Sequence, residues 1–180
     1  MQRKTYKMVY SGIFAVILAL CSWLSIPTII PFTLQTFGVF LTLLILGGRQ
    51  GTITIFIYLL LGLVGIPVFS NFGAGPGFLF GNTGGYAIGF LFAGLCHWLF
   101  EKLFGKKTWI SLVSLFFGLF ICYGFGTLWF MKLSMNSGSD YGVMAVLTMC
   151  VFPFIIPDIL KLWFAHLISK RIRPLLSIDK

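Results

Sequence analysis

Apolar residues fill this chain in long blocks, and the few charged residues stand at the ends of those blocks. No Asp, Glu, Lys or Arg occurs between Lys7 and Arg49, between Arg49 and Glu101, or between Lys107 and Lys132. A membrane-crossing helix needs about 20 apolar residues. The first two stretches are therefore long enough for two spans each, and the third for one. Breakers divide them. Pro27 and Pro31 end the first helix, Gly47-Gly48-Arg49 makes a turn, and a loop rich in Gly and Pro runs from Gly65 to Gly85. Pro153 and Pro157 interrupt the last block. The pattern predicts an all-α membrane protein, one integral domain over 1–180, with six spans at about 8–26, 34–46, 50–64, 86–104, 109–131 and 141–168. The second and third spans are short, and are expected to tilt little or to pack as a hairpin against longer helices. The first block lacks a small-residue cleavage site and is read as retained, not as a signal peptide.

Composition supports the bilayer as the main solvent. The chain is 58% hydrophobic and 9% charged, against about 25% charged in a soluble domain. Its net charge of +9 does not point to nucleic acid, because the bases sit at the ends of apolar runs. That is the distribution that sets topology. With the N-terminus in the cytoplasm, the inner segments hold Arg3, Lys4, Lys7, Arg49, Lys102, Lys106, Lys107, Lys170, Arg171, Arg173 and Lys180, eleven of the thirteen bases. Only Lys132 falls in an outer loop, and Lys161 lies within a span. Both termini are therefore expected inside. The four cysteines show no CxxC spacing and read as small hydrophobes, so neither a disulfide framework nor a metal site is expected. His97 and His166 are isolated and read as packing or interface residues. No P-loop, GxSxG elbow or HExxH motif is present, and an enzyme is not expected.

The candidate chemistry gathers at the outer side. The loop from Gly65 to Gly85 carries no charge and is apolar and aromatic. Irregular backbone at membrane depth persists only where protein covers it or a cavity adjoins it, so this loop is expected to dip back and cap the bundle. Asp158 and Lys161 are the acid and the base set well inside the last span. Asp158 lies about 18 Å above Lys170 at 1.5 Å per residue, in the outer half of the core, and the i,i+3 spacing puts both on one face. An ionisable residue inside the membrane is by default a functional hypothesis. The alternative is a mutually neutralising structural pair. Pro157 frees backbone groups beside Asp158, which favours a solute site. Asn82 and Thr83 open the fourth span, as solute contacts or as helix caps; Asn71 lies in the same loop, and Gln35 and Thr36 open the second span. Trp23, Phe69, Phe72 and Tyr86 offer apolar walls. Together these make one outward-facing small-molecule site. On the first span, Ala15 and Ala19, with Gly12 before them, form a small-xxx-small pattern that allows close helix approach, toward a partner or within the chain.

Five segments, taken in order, resemble the BioY family, the biotin-capturing S components of energy-coupling-factor (ECF) transporters. They are Pro31-Phe32-Thr33-Leu34-Gln35-Thr36, Leu46-Gly47-Gly48-Arg49-Gln50-Gly51, Gly65-Ile66-Pro67-Val68-Phe69, Thr83-Gly84-Gly85-Tyr86 and Pro157-Asp158-Ile159-Leu160-Lys161. The resemblance covers nearly the whole chain. It implies a six-helix protein of a prokaryotic cell membrane, with biotin as ligand near the outer face, under the loop between the first two helices and the loop before the fourth. It implies no cofactor. Its implied partners are a transmembrane coupling subunit with two cytoplasmic ATPases, docked through an Ala-x-x-x-Ala motif that Ala15 and Ala19 match. The family's acid and lysine map onto Asp158 and Lys161. Two departures stand out: Gly81-Asn82 replaces a common Gly-Pro, and Ser70-Asn71-Phe72 follows Pro-Val-Phe. The loop asparagine that meets ligand in some members is therefore either Asn71 or Asn82. A stand-alone proton-coupled carrier or channel, with Asp158 as proton relay, is the alternative function.

Overall fold

The computed structural model describes residues 2–26, 31–136 and 141–176, with side chains from residue 5 and without that of Asn136. Pro27 and Lys180 lie outside the described residues, as do the side chains of Arg3 and Lys4. In chain order the helices are α1 (Gln2–Trp23), α2 (Gln35–Leu46), α3 (Gly48–Leu63), α4 (Pro76–Leu79), α5 (Gly84–Phe104), α6 (Thr108–Asn136), α7 (Val143–Cys150) and α8 (Phe152–Ile172). Between α1 and α2 a short ribbon forms from β1 (Ser25–Ile26) and β2 (Phe32–Thr33), antiparallel, with Ser25 opposite Thr33 and Ile26 opposite Phe32.

Four segments are long and apolar enough to cross a bilayer: Thr5–Trp23, Gly84–Phe104, Thr108–Met135 and Val143–Leu175. Their outward faces carry large apolar side chains such as Val16, Phe120, Ile156 and Trp163. The chain is a multi-pass integral membrane protein. The short helix α2 has 12 residues, about 18 Å, less than the ~30 Å hydrocarbon core. Its length is tolerable because it is interior: every residue but Phe37 is buried, against α1, α3, α5 and α8. Lipid does not have to match a helix that protein surrounds.

Several helix ends differ from the sequence expectation. The first helix stops at Trp23, short of Ile26, because Ser25 and Ile26 pair with β2 and cannot also be helical. The last span is two helices, broken at Val151 (φ −127°, ψ −57°) just before Pro153. Pro157 lies inside α8 without ending it, so the break falls seven residues before Asp158 and not beside it. α6 continues to Asn136, five residues past the expected end.

Close approach is built from small residues. Gly85, Gly89 and Ala93 line α5 at i,i+4 spacing and meet Trp129, Cys122 and Gly118 of α6, a small-xxx-small seam. Ala15 and Ala19 also serve internal packing. They are 4% and 6% exposed, in the core with Leu18, Phe40 and Leu43. Ala15 and Ala19 face inward, and the open side of α1 is Met8, Gly12, Ile13, Val16 and Leu20.

The α2–α3 turn is fixed from α5. Gly47 has φ +79°, which favours glycine. The Gly48 N–H donates to Glu101 Oε2 at 2.6 Å, and a Cβ on Gly48 would overlap the Trp98 backbone. His97, fully buried, lies 3.5 Å from Glu101 and bonds through Nδ1 to Ser114 Oγ at 2.6 Å. Ser114 gives its own proton to Ser111 O, so its oxygen accepts from His97. We expect Gly48→Ala to destabilise the fold by about 1–3 kcal/mol through overpacking. Gly12→Ala, where a Cβ meets nothing, should leave stability unchanged. Thermal unfolding of the purified variants checks this; equal midpoints would mean that α5 does not pin the turn.

Candidate ligand-binding site

The loop from Gly65 to Gly85 folds over the bundle end opposite the α2–α3 turn. Phe69 is its plug. The ring is 0% exposed, edge-on to Tyr58 at 5.5 Å and stacked on Phe78 at 4.6 Å. Gly62 leaves room for it, since a Cβ there would strike the ring. Polar groups tie the loop down. Trp23 Nε1 donates to Pro67 O (2.8 Å), Tyr58 Oη to Val68 O (2.9 Å), Gln35 Nε2 to Tyr58 Oη (2.9 Å) and Trp129 Nε1 to Gly81 O (3.1 Å). The loop backbone also closes on α3, with Gly75 N donating to Gly62 O at 2.7 Å. Asn71 and Phe72 both take positive φ, 54° and 56°. Asn tolerates this region well and Phe poorly. Asn71 accepts from Ser25 Oγ at 3.0 Å, and Phe72 packs on Trp23 at 5.1 Å. These two contacts clasp the loop to the ribbon and to the end of α1.

Beneath the loop lies a cavity with about 70 Å³ open to the centre of a water molecule, room for roughly five waters. The ribbon and the start of α2 contribute Thr33, Gln35 and Thr36; the loop adds Ser70 and Phe78; α5 adds Tyr86 and Phe90. The floor comes from Cys122 and Tyr123 of α6 and from Phe154, Asp158 and Lys161 of α8. Asp158 and Lys161 are 2% and 7% exposed. Their ion pair measures 2.7 Å. Lys161 also donates to Thr33 O (2.8 Å) and Thr36 Oγ1 (3.5 Å), and lies 4.4 Å from the centre of the Phe32 ring. Tyr123 Oη donates to Asp158 Oδ2 at 2.6 Å.

The two members of this pair differ in unused hydrogen-bonding capacity. An ammonium has three donors, and protein acceptors take all three. A carboxylate offers about four acceptor positions, and two are used. Free capacity at the cavity wall thus lies on Asp158, not on Lys161. The Ser70 hydroxyl adds a group with no partner among the described residues; Ser70 is 5% exposed and lines the cavity.

Of the residues singled out from sequence, Asp158, Lys161, Gln35, Thr83 and Tyr86 line this one cavity, with Thr36. Trp23, Asn71 and Asn82 do not line it. Trp23 and Asn71 hold the loop from outside, and Asn82 is exposed in the turn before α5. Thr83 is the N-cap of α5 but makes no side-chain cap bond. Tyr123 and Ser70 escaped the sequence reading. Tyr123 left one trace: it is the single tyrosine in the uncharged stretch between Lys107 and Lys132.

Residues 1–178 match the BioY family. This chain belongs to the BioY family. Among BioY relatives, the biotin transporter BioY of Thermotoga maritima is 34% identical over 170 residues, covering 94% of this chain and 96% of that one. The biotin transporter BioY2 of Lactococcus lactis is 35% identical over 160 residues, with 88% and 85% covered. A probable BioY of Pyrococcus horikoshii is 37% identical over 145 residues, with 80% and 81% covered. The crystal structure of the S-component for biotin from an ECF-type ABC transporter shares the fold, with a TM-score of 0.80 at 26% identity over 96% of this chain and 93% of that one.

Removing one member of a buried pair strands the other charge, at about 3–5 kcal/mol. Lys161→Met should therefore destabilise the protein strongly, and adding Asp158→Leu should recover most of the loss. Unfolding of the single and double variants in detergent measures it. A double variant as unstable as the single one would show that the two charges do not depend on each other.

Proposed function

We propose that this BioY-family protein is the biotin-binding subunit of an ECF-type vitamin importer, a carrier and not an enzyme, in the plasma membrane of a prokaryote. The observation that carries this reading is the cavity itself: a buried carboxylate with unused acceptor positions, under an uncharged aromatic cap, in a fold shared with the S-component for biotin. The relatives' names as biotin transporters support the choice of ligand.

The chemistry matches. Biotin's ureido ring brings two N–H donors and one carbonyl. Asp158 accepts from a ureido N–H, a charge-assisted bond. The carbonyl suits hydroxyl donors such as Ser70 or Thr83. Phe78, Phe90, Phe154 and Tyr86 cover the thioether ring. The Asp158–Lys161 pair is neutral as a unit, so the uncharged bicyclic head belongs beside it and the anionic tail toward the opening. A site of buried polar partners rejects analogues that leave them unpaired.

Six spans complete the reading, with α2 and α3 as short crossings, the loop end outside and both termini in the cytoplasm. The asymmetry of the bases supports this orientation. Delivery to the inside requires an ATPase-driven module, a coupling subunit with two ATPases, which suits a chain that carries no P-loop. A stand-alone proton-coupled carrier fits less well, because a proton on Asp158 would have to displace the Lys161 contact at 2.7 Å.

Biotin should raise the melting temperature of the purified chain without added ions, by mass action equivalent to about 4 kcal/mol at 1,000 times Kd. Asp158→Asn should weaken binding at least tenfold by equilibrium dialysis, with the stability lost by leaving Lys161 without its counter-charge measured beside it. A melting temperature that ignores biotin but responds to another vitamin would overturn the assignment.

A further inference from the structure

The bundle end opposite the cavity carries a separate cleft, with about 430 Å³ open to water-sized spheres. It is walled by the α5–α6 turn, the start of α6, and the end of α8 with the turn after it. Lys106, His166, Lys170 and Arg173 line it, and among the described residues no Asp or Glu does. Thr108 opens the 29-residue helix α6 at its rim, so the positive end of that helix adds to the field. The carbonyl end of α8 opposes it, and Lys170 offsets that end. Ser111 supplies an independent sign of a ligand. It is 6% exposed, it lines the cleft, and its hydroxyl has no hydrogen-bond partner among the described residues. Beside the cleft, Trp109 is 73% exposed and Leu175 82%. Trp at such a level marks the boundary between hydrocarbon and headgroups.

We propose that this cleft binds the headgroup of an anionic phospholipid, its phosphate held by Lys106, Lys170 and the Ser111 hydroxyl. The inference rests on the orientation proposed above, which puts this end at the cytoplasmic face. Basic pockets between spanning helices on that face suit anionic headgroups. The adjoining apolar surface favours a lipid over an acidic peptide, since acyl chains require that surface and a peptide does not.

The test uses the full chain taken from vesicles of mixed phosphatidylglycerol and phosphatidylcholine, with retained lipid counted by native mass spectrometry. Phosphatidylglycerol should be retained over phosphatidylcholine. Lys106→Gln and Lys170→Gln should each lower its retention about fivefold, and Ser111→Ala should lower it with no change of charge. Arg171→Gln, a base that does not line the cleft, should not. Equal loss with Arg171→Gln would overturn the site in favour of diffuse charge. Release of the lipid by millimolar inorganic phosphate would overturn it in favour of a soluble anion. Variants that keep the lipid but lose association with a coupling subunit would overturn it in favour of a protein contact. Biotin binding by each variant reports folding separately, so loss of the lipid site and loss of the biotin reading remain distinguishable.

Discussion

A single ammonium joins two distant parts of this chain, the last helix and the segment that opens the second. Lys161 of α8 reaches the Asp158 carboxylate one turn back, the Thr33 carbonyl of β2 and the Thr36 hydroxyl of α2. In water such bonds would exchange cheaply. In a bilayer an unpaired carbonyl or carboxylate costs several kcal/mol, so the alternatives to this arrangement are closed. The ribbon is held down, the start of α2 is set against α8, and Tyr123 of α6 is drawn to the other carboxylate oxygen. The cavity is the space left among elements positioned by that one cluster.

The remainder of the fold positions the cavity from below. α2 is too short to span alone, and is stable because its neighbours bury nearly all of it. Glycine makes this possible where chains meet: Gly48 against Trp98, Gly62 against Phe69, Gly85 and Gly89 against α6. Each contact trades a side chain for a closer backbone, the usual economy of helix packing in lipid. The interior polar groups at the α2–α3 turn follow the same rule. Glu101 is buried, and its carboxylate accepts from the Gly48 backbone N–H.

The four long apolar segments were legible in the sequence, because in lipid a charge interrupts a span and the charges here are few. Helix ends were less legible, since Ser25 and Ile26 leave the helix for a strand partner that no local pattern reveals. Asp158 and Lys161 stood out as charges in an apolar run, and Gln35, Thr83 and Tyr86 lay near them by topology. The direction of a side chain on an irregular loop is not written in periodicity, and so Asn71, Asn82 and Trp23 went elsewhere. Ala15 and Ala19 show the same limit on a helix: small-residue spacing identifies a close contact but not which neighbour makes it. Tyr123 was hidden because a tyrosine among phenylalanines looks like one more ring until its hydroxyl finds a carboxylate.

The two ends of the bundle treat charge in opposite ways, and the difference follows from what surrounds them. Beneath the loop, Asp158 and Lys161 are buried and cancel, and the loop over them has no charge at all. A net charge there would either repel or trap a solute through a low-dielectric wall. At the other end Lys7, Arg49, Lys102, Lys106, Lys107, Lys170 and Arg171 are exposed at the edge of the apolar belt, where solvent keeps their charges inexpensive. One protein can keep both regimes because the stretch between them is uncharged: on α8, eight residues without Asp, Glu, Lys or Arg separate Lys161 from Lys170.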